Sequence, residues 1–227
     1  MKIKIIGIGG IGCCLLTSLA RFANFKLSNT TITLIDGDDF EVKNKERQVF
    51  HRLGNKAEVN VEMLQSQFKR IIFNAIPEYL TQKNIVDYVL EDEIIFMGVD
   101  NHATRKLISD HCRTLNNIVL FSGGNELTDG NLQIFIRKEG ENITLPIDNE
   151  FHPEIQYPKD KNPGELGCDE LIESVPQLLF TNNMVASIMM NAFFAYLEEK
   201  LNYDEVYFDI ITNMVRAISR TSETRSD

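Results

Sequence analysis

The sequence predicts an α/β fold: a mostly parallel sheet with helices on both faces, extended by an antiparallel C-terminal part. Three observations carry this. Short apolar, β-branched runs alternate with segments of helical spacing as far as about residue 125. A glycine-rich turn follows the first apolar run. After Gly123 the rhythm changes, and a long polar stretch leads to an apolar helix and two short strands. Apolar runs that do not alternate mark strands buried on both faces, as parallel strands are.

Lys2–Ile8 reads as a buried strand that ends in glycines, and Gly9–Arg21 as a helix with Leu15, Leu16 and Leu19 near helical spacing. Thr31–Ile35 is a second strand, stopped by Asp36-Gly37-Asp38-Asp39. The pattern then predicts a helix over Ala57–Gln67, a strand over Arg70–Ala75 and a helix over Thr81–Leu90. Glu93–Val99 follows as a strand, Ala103–Leu115 as a helix and Asn117–Phe121 as a strand. Beyond Gly123, Asn131–Ile136 reads as a strand and Lys138–Glu173 as a polar, irregular and mobile loop. Gln177–Lys200 is a strongly apolar helix, and Glu205–Ile218 is two short strands around Thr212-Asn213.

No internal repeat or low-complexity segment divides the chain, so its 227 residues are read as one domain. Within it, 1–125 is the core, 138–173 a crossover-type loop, 174–220 the C-terminal helix and strands, and 221–227 a tail. A hydrophobic content of 43% is ample for a substantial core. No apolar run reaches the roughly 18 residues of a membrane span. The strand-like start leaves no room for a signal peptide, so a cytoplasmic location and no membrane partner are expected. A net charge of −10 opposes nucleic-acid binding. The four cysteines, Cys13, Cys14, Cys112 and Cys168, form no CxxC pair, and no zinc is expected.

The glycine turn carries the first chemistry. Gly7-Ile8-Gly9-Gly10-Ile11-Gly12 closes a strand and opens a helix, bringing backbone amides and a helix N-terminus close to an anionic ligand. Such a turn fits nucleotide binding on a Rossmann-like sheet. Asp36, closing the second strand, is placed to accept ribose hydroxyls. These residues alone suit an NAD-dependent oxidoreductase as well as an ATP-binding protein.

The next segment separates the two. Asp36-Gly37-Asp38-Asp39-Phe40-Glu41-Val42-Lys43-Asn44-Lys45-Glu46-Arg47-Gln48 has the pattern D-x-D-x-hydrophobic-x-x-x-N-x-x-R-Q. Gly54-Asn55-Lys56-Ala57 and Gly98-Val99-Asp100-Asn101-His102-Ala103-Thr104-Arg105 follow in order. Together these resemble the ThiF/MoeB/ubiquitin-activating enzyme superfamily, and the arrangement Cys168 … Leu179-Phe180-Thr181-Asn182 … Val185-Ala186 resembles its short stand-alone members from bacterial accessory operons. The resemblance implies ATP- and Mg²⁺-dependent adenylation of the C-terminal carboxylate of a ubiquitin-like or sulfur-carrier protein ending in glycine, by a homodimer.

It also implies roles. Arg47 forks onto phosphate oxygens, Lys56 supplies a point charge and Asp100 holds Mg²⁺. Gly7, Gly9, Gly10, Gly12, Asp36, Asp38, Asn44, Gln48 and Asn101 complete the nucleotide pocket. Taken one by one, Arg47 and Lys56 read equally well as solvated charges, Asp100 as a cap of the next helix, and Arg105 as half of a structural ion pair. Cys168 is the candidate acceptor of a thioester, although Asp169 and Glu170 raise the pKa of a neighbouring thiol. Two departures stand against the resemblance: the chain has no N-terminal helix ahead of the first strand, and the glycine–lysine step is one residue short. A non-catalytic nucleotide-binding partner in a complex therefore stays open beside the enzyme.

Overall fold

The structure is a computed structural model, and it describes residues 1–165 and 178–220. Cys168 and the tail 221–227 lie outside the described residues. In chain order the elements begin β1 (Lys2–Ile6), α1 (Gly10–Lys26), β2 (Thr30–Ile35), β3 (Asp39–Phe40) and a 3-10 turn (Val42–Glu46). They continue with β4 (Gly54–Asn55), α2 (Lys56–Gln67), β5 (Ile71–Ile76), α3 (Ile85–Tyr88), β6 (Glu93–Met97) and α4 (His102–Cys112). The C-terminal part comprises β7 (Ile118–Asn125), β8 (Asp129–Lys138), β9 (Glu141–Asn142), α5 (Pro153–Gln156), a 3-10 turn (Pro163–Glu165), α6 (Leu179–Leu197), β10 (Glu205–Asp209) and β11 (Met214–Ile218).

The main sheet runs β11-β10-β8-β7-β6-β1-β2-β5, with β9 pairing β8. From β5 to β7 every pairing is parallel, and from β7 to β11 every pairing is antiparallel. The chain builds outward from β1 through β2 to β5, then returns to lay β6 on the other side of β1. That reversal opens a crevice at the carboxyl ends of β1 and β6, where open α/β sheets bind their ligands.

Both faces of the sheet are covered, and the strands show why. Ile3, Ile5, Ile94 and Phe96 join Leu15, Leu19, Leu64 and Phe193 in the core under α1, α2 and α6. Their neighbours Ile6, Ile95 and Met97 point the other way, to Ile85, Ile108 and Cys112 of α3 and α4. Period-two side chains with both sets apolar require two helical layers. Phe193 of α6 packs edge-on against Phe22 of α1 and Phe96 of β6, with centroids 6.0 and 5.3 Å apart.

Some expectations change. The helix predicted over Thr81–Leu90 shrinks to α3, because Asn84 Oδ1 accepts both the amide and the hydroxyl of Thr81 and fixes a turn there. The polar stretch after Lys138 is less irregular than its composition suggests: it holds β9, α5 and a 3-10 turn, and buries Ile147 and Ile155. α6 is apolar all round, but it is not wholly core, since Phe180 and Phe194 are exposed.

Candidate active site

A cavity of about 260 Å³ opens at the carboxyl ends of β1, β2 and β6. Gly7, Gly9, Gly10, Asp36, Asp38, Asn44, Arg47, Gln48, Lys56, Asp100 and Asn101 all line it. The motifs are far apart in sequence, and the sheet topology gathers them. Gly12 does not line the cavity. A Cβ there would sit 2.2 Å from the Gly7 carbonyl oxygen, so its role is close packing of α1 on the loop. Gly7 needs its glycine for a different reason: its φ is +85°, and a Cβ would strike Val99 and the Gly98 backbone.

α1 starts behind Gly9, which makes no side-chain cap, and a Cβ at Gly9 would meet open space. The first-turn amides of this 17-residue helix thus face the cavity without a capping side chain, an arrangement suited to phosphate.

Asp36 ties the loop to β2. Its Oδ2 accepts the Ile8 amide at 2.5 Å and its Oδ1 the Asp38 amide at 2.8 Å. Burial pushes this carboxyl up to about 6, although Lys56 beside it pulls the other way. Lys56, the first residue of α2, is itself buried, with Nζ 2.7 Å from Asp38 Oδ2. Burial disfavours its charge, but Asp36 and Asp38 outweigh burial and hold its pKa above the ordinary lysine value. The other Asp38 oxygen accepts the Tyr79 hydroxyl. Asn55 fixes the register of this cluster: its Oδ1 caps α2 through the Ala57 amide, and its Nδ2 donates to the carbonyls of Asp36 and Asp38. The short glycine–lysine step therefore still delivers Lys56 to the cavity.

The β3–β4 hairpin adjoins this cluster, with Asp39 paired to Asn55. Asn44 Oδ1 accepts the Glu41 amide, closing a capping box on the 3-10 turn that presents Arg47 and Gln48. Among the described residues the Arg47 guanidinium has no ion-pair partner, and its Nε is buried without a hydrogen bond. Gln48 Oε1 is likewise buried and unpartnered. Across the cavity, Asp100 is exposed and also lacks a hydrogen-bond or ion-pair partner among the described residues. An acid and a base left apart on one cavity fit a ligand that supplies both an anion and a cation. A free carboxylate such as Asp100 beside a space for phosphate suits Mg²⁺, which takes few protein ligands and keeps phosphate and water.

Two expectations about this edge are corrected. The cap of α4 is Asn101, whose Oδ1 accepts the Thr104 amide at 2.7 Å, and not Asp100. Among the described residues Arg105 makes no ion pair: it donates to Ser122 Oγ and to the carbonyls of Val99 and Gly123, and burial pulls its pKa down to about 10. It is a neutral-acceptor brace that fixes the ends of β6 and β7. Cys112 is buried, whereas Cys13 and Cys14 are only half-buried. Burial pushes the Cys13 and Cys112 thiols up to about 12, so neither is activated.

Sequence reasoning missed several lining residues. Tyr79 and Leu80 come from the loop after β5, and Asn162 and Pro163 from the polar stretch. Asn162 Nδ2 donates to the Leu80 carbonyl, and Asp160 accepts the His102 and Ala103 amides at the start of α4. The stretch thus crosses the cavity from α4 to the β5–α3 loop. The Asn162-Pro163-Gly164 run signals a turn, but nothing local ties it to a site 60 residues earlier.

Comparison with known proteins follows the same lines. The ThiF family model matches residues 1–224. The adenylyltransferase and sulfurtransferase uba4 of Emericella nidulans is 34% identical over 137 residues, covering 59% of this chain and 27% of that protein. The chain thus spans about a quarter of that relative's length. The tRNA threonylcarbamoyladenosine dehydratase of Haemophilus influenzae is 27% identical over 200 residues, 83% of this chain and 74% of that one. Among solved structures, E. coli MccB with ATP superposes with a TM-score of 0.70 at 18% identity, covering 96% of this chain and 64% of that chain. That likeness bears on the fold. No helix among the described residues is long and apolar enough to cross a membrane.

Proposed function

The chain belongs to the ThiF family, and from that premise we propose that it binds ATP with Mg²⁺ in the cavity and adenylates the C-terminal carboxylate of a partner protein. The observation that carries the reading is the unpaired Arg47 and the unpaired Asp100 lining one cavity beside the open N-terminus of α1. A nicotinamide dinucleotide would offer Arg47 its pyrophosphate but gives Asp100 nothing to hold.

In the proposed reaction a carboxylate oxygen of the partner attacks the α-phosphorus of ATP. The new C–O–P bond forms as the bond to the bridging oxygen breaks, and pyrophosphate leaves with that electron pair. Both reactants are anionic, so catalysis depends on neutralising charge. Arg47 forks onto phosphate oxygens, Lys56 adds a point charge and the α1 amides hold a further oxygen. Asp36 retains the ribose through lone pairs not used by the Ile8 and Asp38 amides. Asp100 would hold Mg²⁺, which when bound neutralises phosphate charge.

The partner is a ubiquitin-like or sulfur-carrier protein ending in glycine, and the active form is a homodimer. Likeness to relatives supports a carboxylate-bearing partner: uba4 is named an adenylyltransferase and sulfurtransferase, and MccB has been solved with MccA; the homodimer follows from the family resemblance alone. In a second step the Cys168 thiolate would attack the acyl carbon, and the thioester would form as the C–O bond to the adenylate breaks and AMP leaves with that electron pair. ATP–pyrophosphate exchange with candidate carrier proteins tests the reading. Exchange that appears only with a partner having a free terminal carboxylate supports it, and tight NAD binding without ATP binding sinks it.

A further inference from the structure

Lys56 faces a conflict that its motif does not reveal. It is held by the Asp38 carboxylate at 2.7 Å, yet an incoming triphosphate needs the same charge. When Lys56 leaves, Asp38 loses its ion-pair partner next to Asp36, a second carboxylate, and keeps only the more distant charge of Lys43. Among the described residues, one other side-chain donor reaches Asp38: the hydroxyl of Tyr79. We propose that Tyr79 is a positioning residue of the nucleotide site, whose hydroxyl holds the Asp38 carboxylate in place while Lys56 passes from Asp38 to the phosphates. The proposal rests on the reading of the cavity as an ATP site.

Tyr79 is built to stay where it is. Its ring lies on Gly37 so closely that a Cβ there would come within 2.5 Å of Cδ2. Gly164 presses from another side, where a Cβ would come within 2.9 Å of the Tyr79 Cβ. The Tyr79 carbonyl accepts Asn84 Nδ2 at 3.0 Å, which fixes the backbone of the loop. With its ring on Gly37 and its Cβ against Gly164, Tyr79 presents its hydroxyl to Asp38. A hydrogen bond to a carboxylate is worth more once the neighbouring cation has gone, because no salt bridge then shares the charge. The hydroxyl thus lowers the cost of freeing Lys56, and its effect on nucleotide binding is felt only through Asp38.

That dependence gives the test. MgATP binding is measured by calorimetry for wild type, Tyr79→Phe, Asp38→Asn and the double variant, with thermal unfolding to confirm that each folds. Phenylalanine keeps the ring packing and removes only the hydroxyl. Tyr79→Phe is expected to weaken MgATP binding roughly fivefold. In the Asp38→Asn background, where no charge needs holding, the same change is expected to alter binding by less than about twofold. An equal loss in both backgrounds overturns the proposal, since the hydroxyl would then act on the nucleotide itself. Wild-type affinity in Tyr79→Phe overturns it as well. A wild-type protein that binds no MgATP overturns the functional reading first, a different result from either.

Discussion

The Asp36 carboxylate accepts the Ile8 amide at 2.5 Å, so the end of β2 holds the glycine loop of β1 in shape. Asp36 is therefore both a ribose acceptor in the proposed complex and a strut of the glycine loop. Its carboxyl lies near 6 in the folded protein and near its ordinary value when unfolded. The folded state binds the proton more tightly, so this group's contribution to stability falls as pH rises through that window. A shift of this size corresponds to no more than about 3 kcal/mol. Asp36→Ala should destabilise the protein at pH 5 by more than at pH 7.5, in urea titrations at the two pH values. It should also weaken ATP binding at both. Equal destabilisation would show that the carboxyl is not shifted.

Lys56 and Arg47 should separate by their effect on stability. Arg47 has no ion pair among the described residues to lose, so Arg47→Met should leave the melting temperature within about 2 °C of wild type. Its pyrophosphate exchange should fall on the order of 10²–10³-fold, as for loss of a donor aimed at developing charge. Lys56→Met should lower exchange and also lower stability, because buried Asp36 loses its nearest cation. A stable Lys56→Met with full exchange would remove Lys56 from the site.

Asp100→Asn tests the metal reading. The side chain is exposed and unpartnered among the described residues, so the substitution should not affect folding. Exchange should fall at least tenfold, and raising Mg²⁺ should recover part of it. Unchanged exchange across a Mg²⁺ titration would mean that the metal is held elsewhere.

The parallel half of the fold was legible because its strands are continuous apolar runs and its turns carry glycine. The site was legible because the family motifs fall at strand ends, where the topology converges. What escaped were features made by tertiary contact. Asn84 turns a predicted helix into a loop by hydrogen-bonding Thr81, a choice that propensity cannot rank. Arg105 read as an ion-pair residue because nothing in its own segment reveals the carbonyls of Val99 and Gly123. Tyr79 carries no motif at all, and only the bare faces of Gly37 and Gly164 around it give it a place.

Cys168, the proposed acyl acceptor, is the one candidate outside the described residues. With enzyme, ATP, Mg²⁺ and partner, an adduct cleaved by reducing agent should form, and Cys168→Ser should abolish it. Exchange should persist in that variant, because adenylation precedes transfer and does not use the sulfur. An adduct that survives in Cys168→Ser would reject the assignment.

The last prediction concerns a cluster remote from the cavity. His152 is buried with Nε2 2.9 Å from Glu205 Oε1 and Nδ1 3.1 Å from Glu154 Oε1. Glu205 also meets the Tyr207 hydroxyl and the Arg220 guanidinium, while Arg220 covers the Phe151 ring and its amide donates to Asp204. The cluster pins the segment that begins at Asp148 to β10, upstream of the residues that cross the cavity. Burial disfavours the imidazolium, but Glu205 and Glu154 outweigh it, so the folded pKa lies above the unfolded one. The sign follows: this contribution is fully present below the unfolded pKa of about 6.5 and is lost as pH rises through the higher folded value. Melting temperatures from pH 6 to 9 should therefore decline more steeply in wild type than in His152→Gln. The substitution should cost about 1–3 kcal/mol at pH 6, because it removes one charged partner of buried Glu205 while Arg220 remains. Parallel curves for the two proteins would show that His152 stays neutral, and that the segment is held by Asp148 and its partners Ser109, Lys106 and Arg113 instead.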